Sequence, residues 1–199
     1  DAPRGSVRDW LDRRAAVTPG GISHIFAETS EVLSWSMLRE EAAAIAARLA
    51  GLGVSKGESV GLCLPNGRMG VACLFGALYG GFRATPLNLA AGASAMGYAV
   101  EHSQARFVFV GAEQADIFAA ALGETEARPA INSVGDEVNW PESAPAPLAD
   151  VAEGDHALLM YTSGTTGRPK GIRPPLPEDT AIDGTNALTM IAQALFKAQ

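Results

Sequence analysis

Short, mostly apolar runs that alternate with helix-periodic stretches leave this chain few folds to choose from. Ser59-Val60-Gly61-Leu62-Cys63-Leu64 is apolar along its length, as a strand covered on both faces would be. Ala84-Thr85-Pro86-Leu87 is a shorter run whose proline sets it at a strand end or a sheet edge. Arg106-Phe107-Val108-Phe109-Val110 and Ala157-Leu158-Leu159-Met160-Tyr161 complete the series. Between them lie a nearly all-round apolar helix over 69–79, a helix near 94–102 and another near 113–122. Strand, helix and strand at short spacing imply an α/β layered fold, a mostly parallel sheet flanked by helices. Upstream, residues 6–17 carry Val7, Trp10, Leu11 and Ala15 at helical spacing, and Pro19-Gly20-Gly21 ends that helix. Residues 22–27 and 31–35 read as a hairpin around the polar turn Glu28-Thr29-Ser30. Ser36 is the expected cap of a helix with Leu38, Ala42, Ile45, Leu49 and Leu52 on its apolar face, closed by Gly51 and Gly53. The chain thus divides into an α/β subdomain (1–135), a Pro-rich acidic connector (136–154), and a strand, loop and tail (155–199).

Of 199 residues, 47% are hydrophobic and 19% charged, which supports a packed core and excludes disorder by composition. A net charge of −7 argues against nucleic acid as a partner, because phosphate backbones are held by clustered Lys and Arg. Trp10, Trp35 and Trp140 do not interleave with basic residues, so no base-stacking platform is expected. No run of eighteen apolar residues spans a membrane, and no basic-apolar leader stands at the start. The two cysteines, Cys63 and Cys73, sit in apolar surroundings without a partner at metal spacing, and read as buried thiols of a cytoplasmic protein. His24, His102 and His156 lie far apart and read as ordinary surface or core residues.

The segment with chemical content follows the last strand: Tyr161-Thr162-Ser163-Gly164-Thr165-Thr166-Gly167-Arg168-Pro169-Lys170-Gly171. Gly164 and Gly167 allow positive φ and close approach of the backbone to a ligand. Successive N–H groups in such a loop form a nest for an anion. Thr162, Ser163, Thr165 and Thr166 add hydroxyl donors, and Lys170 a mobile positive charge. It is not a Walker loop: Lys170 is followed by Gly171, so no hydroxyl stands next to it for magnesium, and Pro169 opposes the following helix. A Rossmann GxGxxG is absent too.

The string YTSGTTGRPKG resembles the signature phosphate-binding loop of the adenylate-forming enzymes, which include acyl-CoA synthetases, peptide-synthetase adenylation domains and firefly luciferase. Leu33-Ser34-Trp35-Ser36-Met37-Leu38 is similar to an early motif of that family, and residues 77–88, from Ala77 to Asn88, to its second. Together the resemblance covers about residues 6–172. It implies that a carboxylate attacks the α-phosphate of ATP, releases pyrophosphate and leaves an acyl-adenylate, from which the thiol of coenzyme A takes the acyl group. Thr162, Ser163, Gly164, Thr165, Thr166, Gly167 and Lys170 would hold the β- and γ-phosphates together with Mg2+ (magnesium), Lys170 being the catalytic charge. No protein residue is expected to ligate the metal here, and no general base is required, since the carboxylate is already ionised near pH 7. The substrate implied is a fatty or aromatic carboxylic acid.

Family chains are more than twice this long, and their acyl pocket, adenine site, magnesium-binding glutamate, ribose-binding aspartate and second lysine lie downstream. The chain is therefore expected to be an N-terminal fragment that is inactive alone, with weak nucleotide affinity and an exposed cut edge favouring self-association into a homo-oligomer. After the loop, Arg173-Pro174-Pro175-Leu176-Pro177-Glu178-Asp179-Thr180 departs from the family's apolar continuation and favours an extended arm, with Leu188, Ile191, Leu195 and Phe196 marking an amphipathic helix beyond. The tail is either a subgroup variant or the mark of a truncation. A non-catalytic folding or interaction module, a peptide-synthetase adenylation domain and a phosphotransferase are the alternatives.

Overall fold

A computed structural model describes residues 5–152, 158–162 and 169–172 of the chain. Helix α1 (Val7–Val17) opens with a capping box: Ser6 Oγ accepts from Asp9 N–H at 3.2 Å, and the Asp9 carboxylate accepts from Ser6 N–H at 2.8 Å. Strands β1 (Ile22–Phe26) and β2 (Glu31–Ser34) form an antiparallel ribbon, and α2 (Trp35–Gly51) follows directly. Its cap is Ser34 rather than the expected Ser36. Ser34 has the extended backbone of a cap and its Oγ accepts from Met37 N–H at 3.2 Å, whereas Ser36 already lies in the first turn, its Oγ 3.1 Å from that of Ser34. Leu38, Ala42, Ile45 and Leu49 are buried as their spacing requires.

Then come β3 (Ser59–Cys63), α3 (Arg68–Tyr79), β4 (Arg83–Pro86), α4 (Ala93–Ser103) and β5 (Phe107–Gly111). A 3-10 turn, Ala112–Gln114, leads into α5 (Ala115–Gly123), and β6 (Ala130–Val134) follows. The four strands lie in the order β4-β3-β5-β6, all parallel. Alternation along β5 divides the core: Phe107 and Phe109 face α2 and α3, while Val108 and Val110 face α4 and α5. The expected parallel sheet flanked by helices is present. Strand β6 is absent from the sequence reading. Its inward position is the polar Asn132, 3% exposed, beside Val134, so the apolar alternation that marks a strand is missing. Cys63 and Cys73 are free and buried, and burial pushes both thiols up to about 12.

Residues 136–152 carry no regular element, yet they are held along α2. Arg48 Nη1 donates to Ser143 O at 2.7 Å, Ala146 N–H donates to Ala47 O at 2.9 Å, and Trp140 packs edge-on to Phe109 at 5.7 Å. Gly51 makes this close approach possible, since a Cβ there would overlap the Ala144 carbonyl oxygen. Gly51→Ala is expected to cost about 1–2 kcal/mol, overpacking outweighing the gain in helix propensity. The expected signs are a lower urea midpoint and faster proteolytic cleavage between 141 and 149, and an unchanged midpoint would show that the strap does not press on this turn.

His24 points inward, stacked on Phe26 at 6.2 Å and edge-on to Phe75 at 5.9 Å. Burial lowers its pKa below the ordinary 6.5, so just below that pH the unfolded chain binds the extra proton and the folded one does not. Stability is therefore expected to fall as pH drops through and below 6.5, and His24→Gln should flatten that part of a urea-midpoint profile against pH. An identical slope in the variant would remove His24 as the cause. Asp9, held low first by the Ser6 hydroxyl, acts in a separate and more acidic window, below its ordinary 3.8. Among the described residues no helix is long and apolar enough to cross a membrane.

Candidate functional site

Leu158 pairs with Ala84 in parallel, and Leu159 N–H donates to Ala84 O at 2.9 Å, so the chain re-enters the fold along the outer edge of β4. It then runs in the direction of β4, toward the carboxyl ends of the parallel strands, which is where open α/β sheets place their ligands. Strand β7 (Met160–Thr162) pairs antiparallel with β8 (Lys170–Ile172) in the register Met160 with Ile172, Tyr161 with Gly171 and Thr162 with Lys170. The return strand β8 is a finding of the structure; the sequence reading carried the chain into the loop without it.

The antiparallel register sets the first and last of the expected phosphate-binding residues opposite each other. Thr162 ends β7 and Lys170 begins β8. Lys170 is exposed and forms no ion pair with another described residue. Ser163, Gly164, Thr165, Thr166 and Gly167 lie outside the described residues, as do His156 and the whole tail from Arg173 onward. No three His, Cys, Asp or Glu side chains converge at metal-binding distance among the described residues.

The base of the hairpin is fastened to α4. The Tyr161 hydroxyl stands 2.8 Å from His102 Nδ1, and the two rings meet edge to face at 5.7 Å. Tyr98, one turn earlier on α4, stacks on His102 at 5.4 Å. Gly171 lets β8 lie flat beside them, for a Cβ there would stand 3.3 Å from Tyr161 Cε1 and 3.4 Å from His102 Cε1. His102 reads in the sequence as an ordinary surface or core residue, and it is exposed; its contact with Tyr161 is what the structure adds. The usable signal was the spacing of Tyr98 and His102, which puts both rings on one face of the helix just before a strand.

The chain is 30% identical over 169 residues to a sulfoacetate–CoA ligase of Cupriavidus necator, which covers 82% of this chain and 32% of that enzyme. It is 29% identical over 171 residues to the long-chain-fatty-acid–CoA ligase FadD13 of Mycobacterium tuberculosis, covering 82% of this chain and 34% of the other. The chain thus spans about a third of the length of these curated relatives. Its fold superposes on the crystal structure of the N-terminal domain of FACL13 from Mycobacterium tuberculosis with a TM-score of 0.73 at 26% identity, over 85% of this chain and 44% of that one. With residues 11–173 matching the AMP-binding enzyme family from α1 to the end of β8, the chain belongs to that family.

Proposed function

We propose that this chain is the N-terminal part of an ATP-dependent acid–thiol ligase, an acyl-CoA synthetase, and that its hairpin β7–β8 presents the phosphate-binding loop. The observation that carries the reading is the pairing of Thr162 with Lys170 at the mouth of a hairpin leading to the carboxyl side of a parallel sheet. A carboxylate oxygen attacks the α-phosphorus of ATP, the bond to the bridging oxygen breaks, and pyrophosphate leaves with the electron pair. The thiol of coenzyme A then attacks the acyl carbon, AMP departs, and the thiol proton passes to solvent. The loop residues Thr162, Ser163, Gly164, Thr165, Thr166 and Gly167 hold the β- and γ-phosphates through hydroxyl and backbone donors. Lys170, exposed and without a described ion-pair partner, offsets the charge of the leaving group. Magnesium neutralises the phosphates when bound, and the described residues supply no dedicated cluster for it. In this division of labour residues 1–135 are the scaffold, 136–154 the Pro-rich acidic connector, and 155–199 the chemical segment. The acid is a fatty or aromatic carboxylate, the setting is the cytoplasm, and self-association draws on exposed apolar side chains such as Ile131, 51% exposed on β6.

The deciding experiment is carboxylate-dependent exchange of labelled pyrophosphate into ATP, run on this chain and on a longer parent that includes it. The parent is expected to catalyse exchange and form the CoA thioester, with AMP as the nucleotide product. This chain alone is expected to be silent, because the rest of the nucleotide is left in water. Release of ADP would replace the reading with a phosphotransferase, and a thioester formed only on a carrier-protein thiol would assign the chain to a peptide synthetase.

A further inference from the structure

We propose that His102 is a positioning residue for the phosphate-binding loop, acting through the Tyr161 hydroxyl; this rests on the loop assignment made above. A two-stranded ribbon with three residue pairs is marginal on its own. Hydrogen bonding joins this one to the main sheet at its entry, through Leu158 and Leu159 to Ala84. Toward the loop, the pair Tyr161–Gly171 is the last before Thr162–Lys170, and this is the pair that His102 covers.

Every link from the core to that pair is in place. Met96, Ala99 and Val100 bury α4 against the sheet, so the helix is a fixed support. Tyr98 stacks on the His102 ring and limits its rotation. His102 Nδ1 meets the Tyr161 hydroxyl at 2.8 Å, one of the two donating, and its Cε1 edge lies over Gly171. The Tyr161 stem of the loop is thereby held from α4, and the Lys170 stem follows through its pairing with β7. A shift of about 1 Å in such a support is enough to cost a large part of a reaction rate.

The contact is tested first in this chain by amide hydrogen exchange. Tyr161→Phe and His102→Ala are each expected to speed exchange in Met160–Thr162 and Lys170–Ile172 by about fivefold, the equivalent of one hydrogen bond. Amides of β3 and β5 should not change. The double variant should exchange no faster than either single one, and His102→Asn, whose amide can reach the Nδ1 position, should restore most of the protection. Unchanged hairpin exchange in Tyr161→Phe would overturn the tether. The second arm is the pyrophosphate-exchange assay in the longer parent, where His102→Ala and Tyr161→Phe are expected to raise KM for ATP about fivefold or more, leave KM for the acid unchanged, and recover with His102→Asn. A faster-exchanging hairpin with an unmoved KM for ATP would overturn the positioning role and leave a purely structural contact. Failure of the loop assignment itself is read separately, as full activity of a Lys170→Ala parent.

Discussion

Lys170→Ala in the longer parent is expected to lower kcat/KM for ATP in pyrophosphate exchange by about 10²–10³-fold, the range for removing one preorganised charge-stabilising donor. The fold should survive, because the side chain is exposed. What Lys170 contributes to the hairpin is its backbone, paired with Thr162, and alanine keeps that pairing. Loss of activity with a thermal midpoint like that of the wild type would thus report the ammonium group alone. Lys170→Arg should recover only part of the rate, since a planar guanidinium replaces a compact point charge on a flexible stem. Exchange within threefold of wild type in Lys170→Ala would end the assignment of this residue.

The second large effect concerns the core. Phe109→Ala is expected to destabilise the chain by about 3–5 kcal/mol, the usual cost of removing a fully buried ring. Phe109 is 0% exposed in β5, edge-on to Phe107 at 5.2 Å and to Trp140 at 5.7 Å. Its loss would open a cavity between the sheet and the strap and loosen both at once. For a chain of this size that is a fall of roughly 10 °C or more in Tm. Ile131→Ala on the neighbouring edge strand, at a side chain half open to solvent, should stay within about 0.5 kcal/mol. Similar losses for the two variants would contradict the placement of the core between β5 and the strap.

Most of the scaffold was legible in the sequence because its elements announce themselves by period. Strands β3 and β5 are apolar on both faces, and the buried stripe of α2 follows its 3.6-residue repeat. What escaped has physical reasons. Strand β6 buries an asparagine, β8 is three residues long and includes a glycine and a lysine, and the α2 cap was displaced because two serines compete within one turn. The connector at 136–154 reads as solvent-exposed, and most of its described residues are; its anchors to α2 escaped because they are backbone carbonyls and amides, which no side-chain pattern reveals. At the site, the composition of the loop pointed to phosphate, and the register brought Thr162 and Lys170 together. The His102–Tyr161 contact depends on tertiary placement of a distant helix, and only the spacing of Tyr98 and His102 hinted at it.

The pairing of Leu158 with Ala84 also sets an order of events during synthesis. Strand β4 is complete by Pro86, but its outer neighbour emerges only after α4, β5, α5, β6 and the strap have been made. At about 5–20 residues per second that interval lasts roughly 4–14 seconds. Throughout it the nascent sheet can close around β3 and β5 while the outer edge of β4 stays open to other strands. Joining β7 is a non-local step that must pay for loop closure before any contact rewards it, so it belongs late on the folding path. A chain released before Leu158 is added would carry the scaffold with a free β4 edge, a target for edge-binding chaperones and for aggregation.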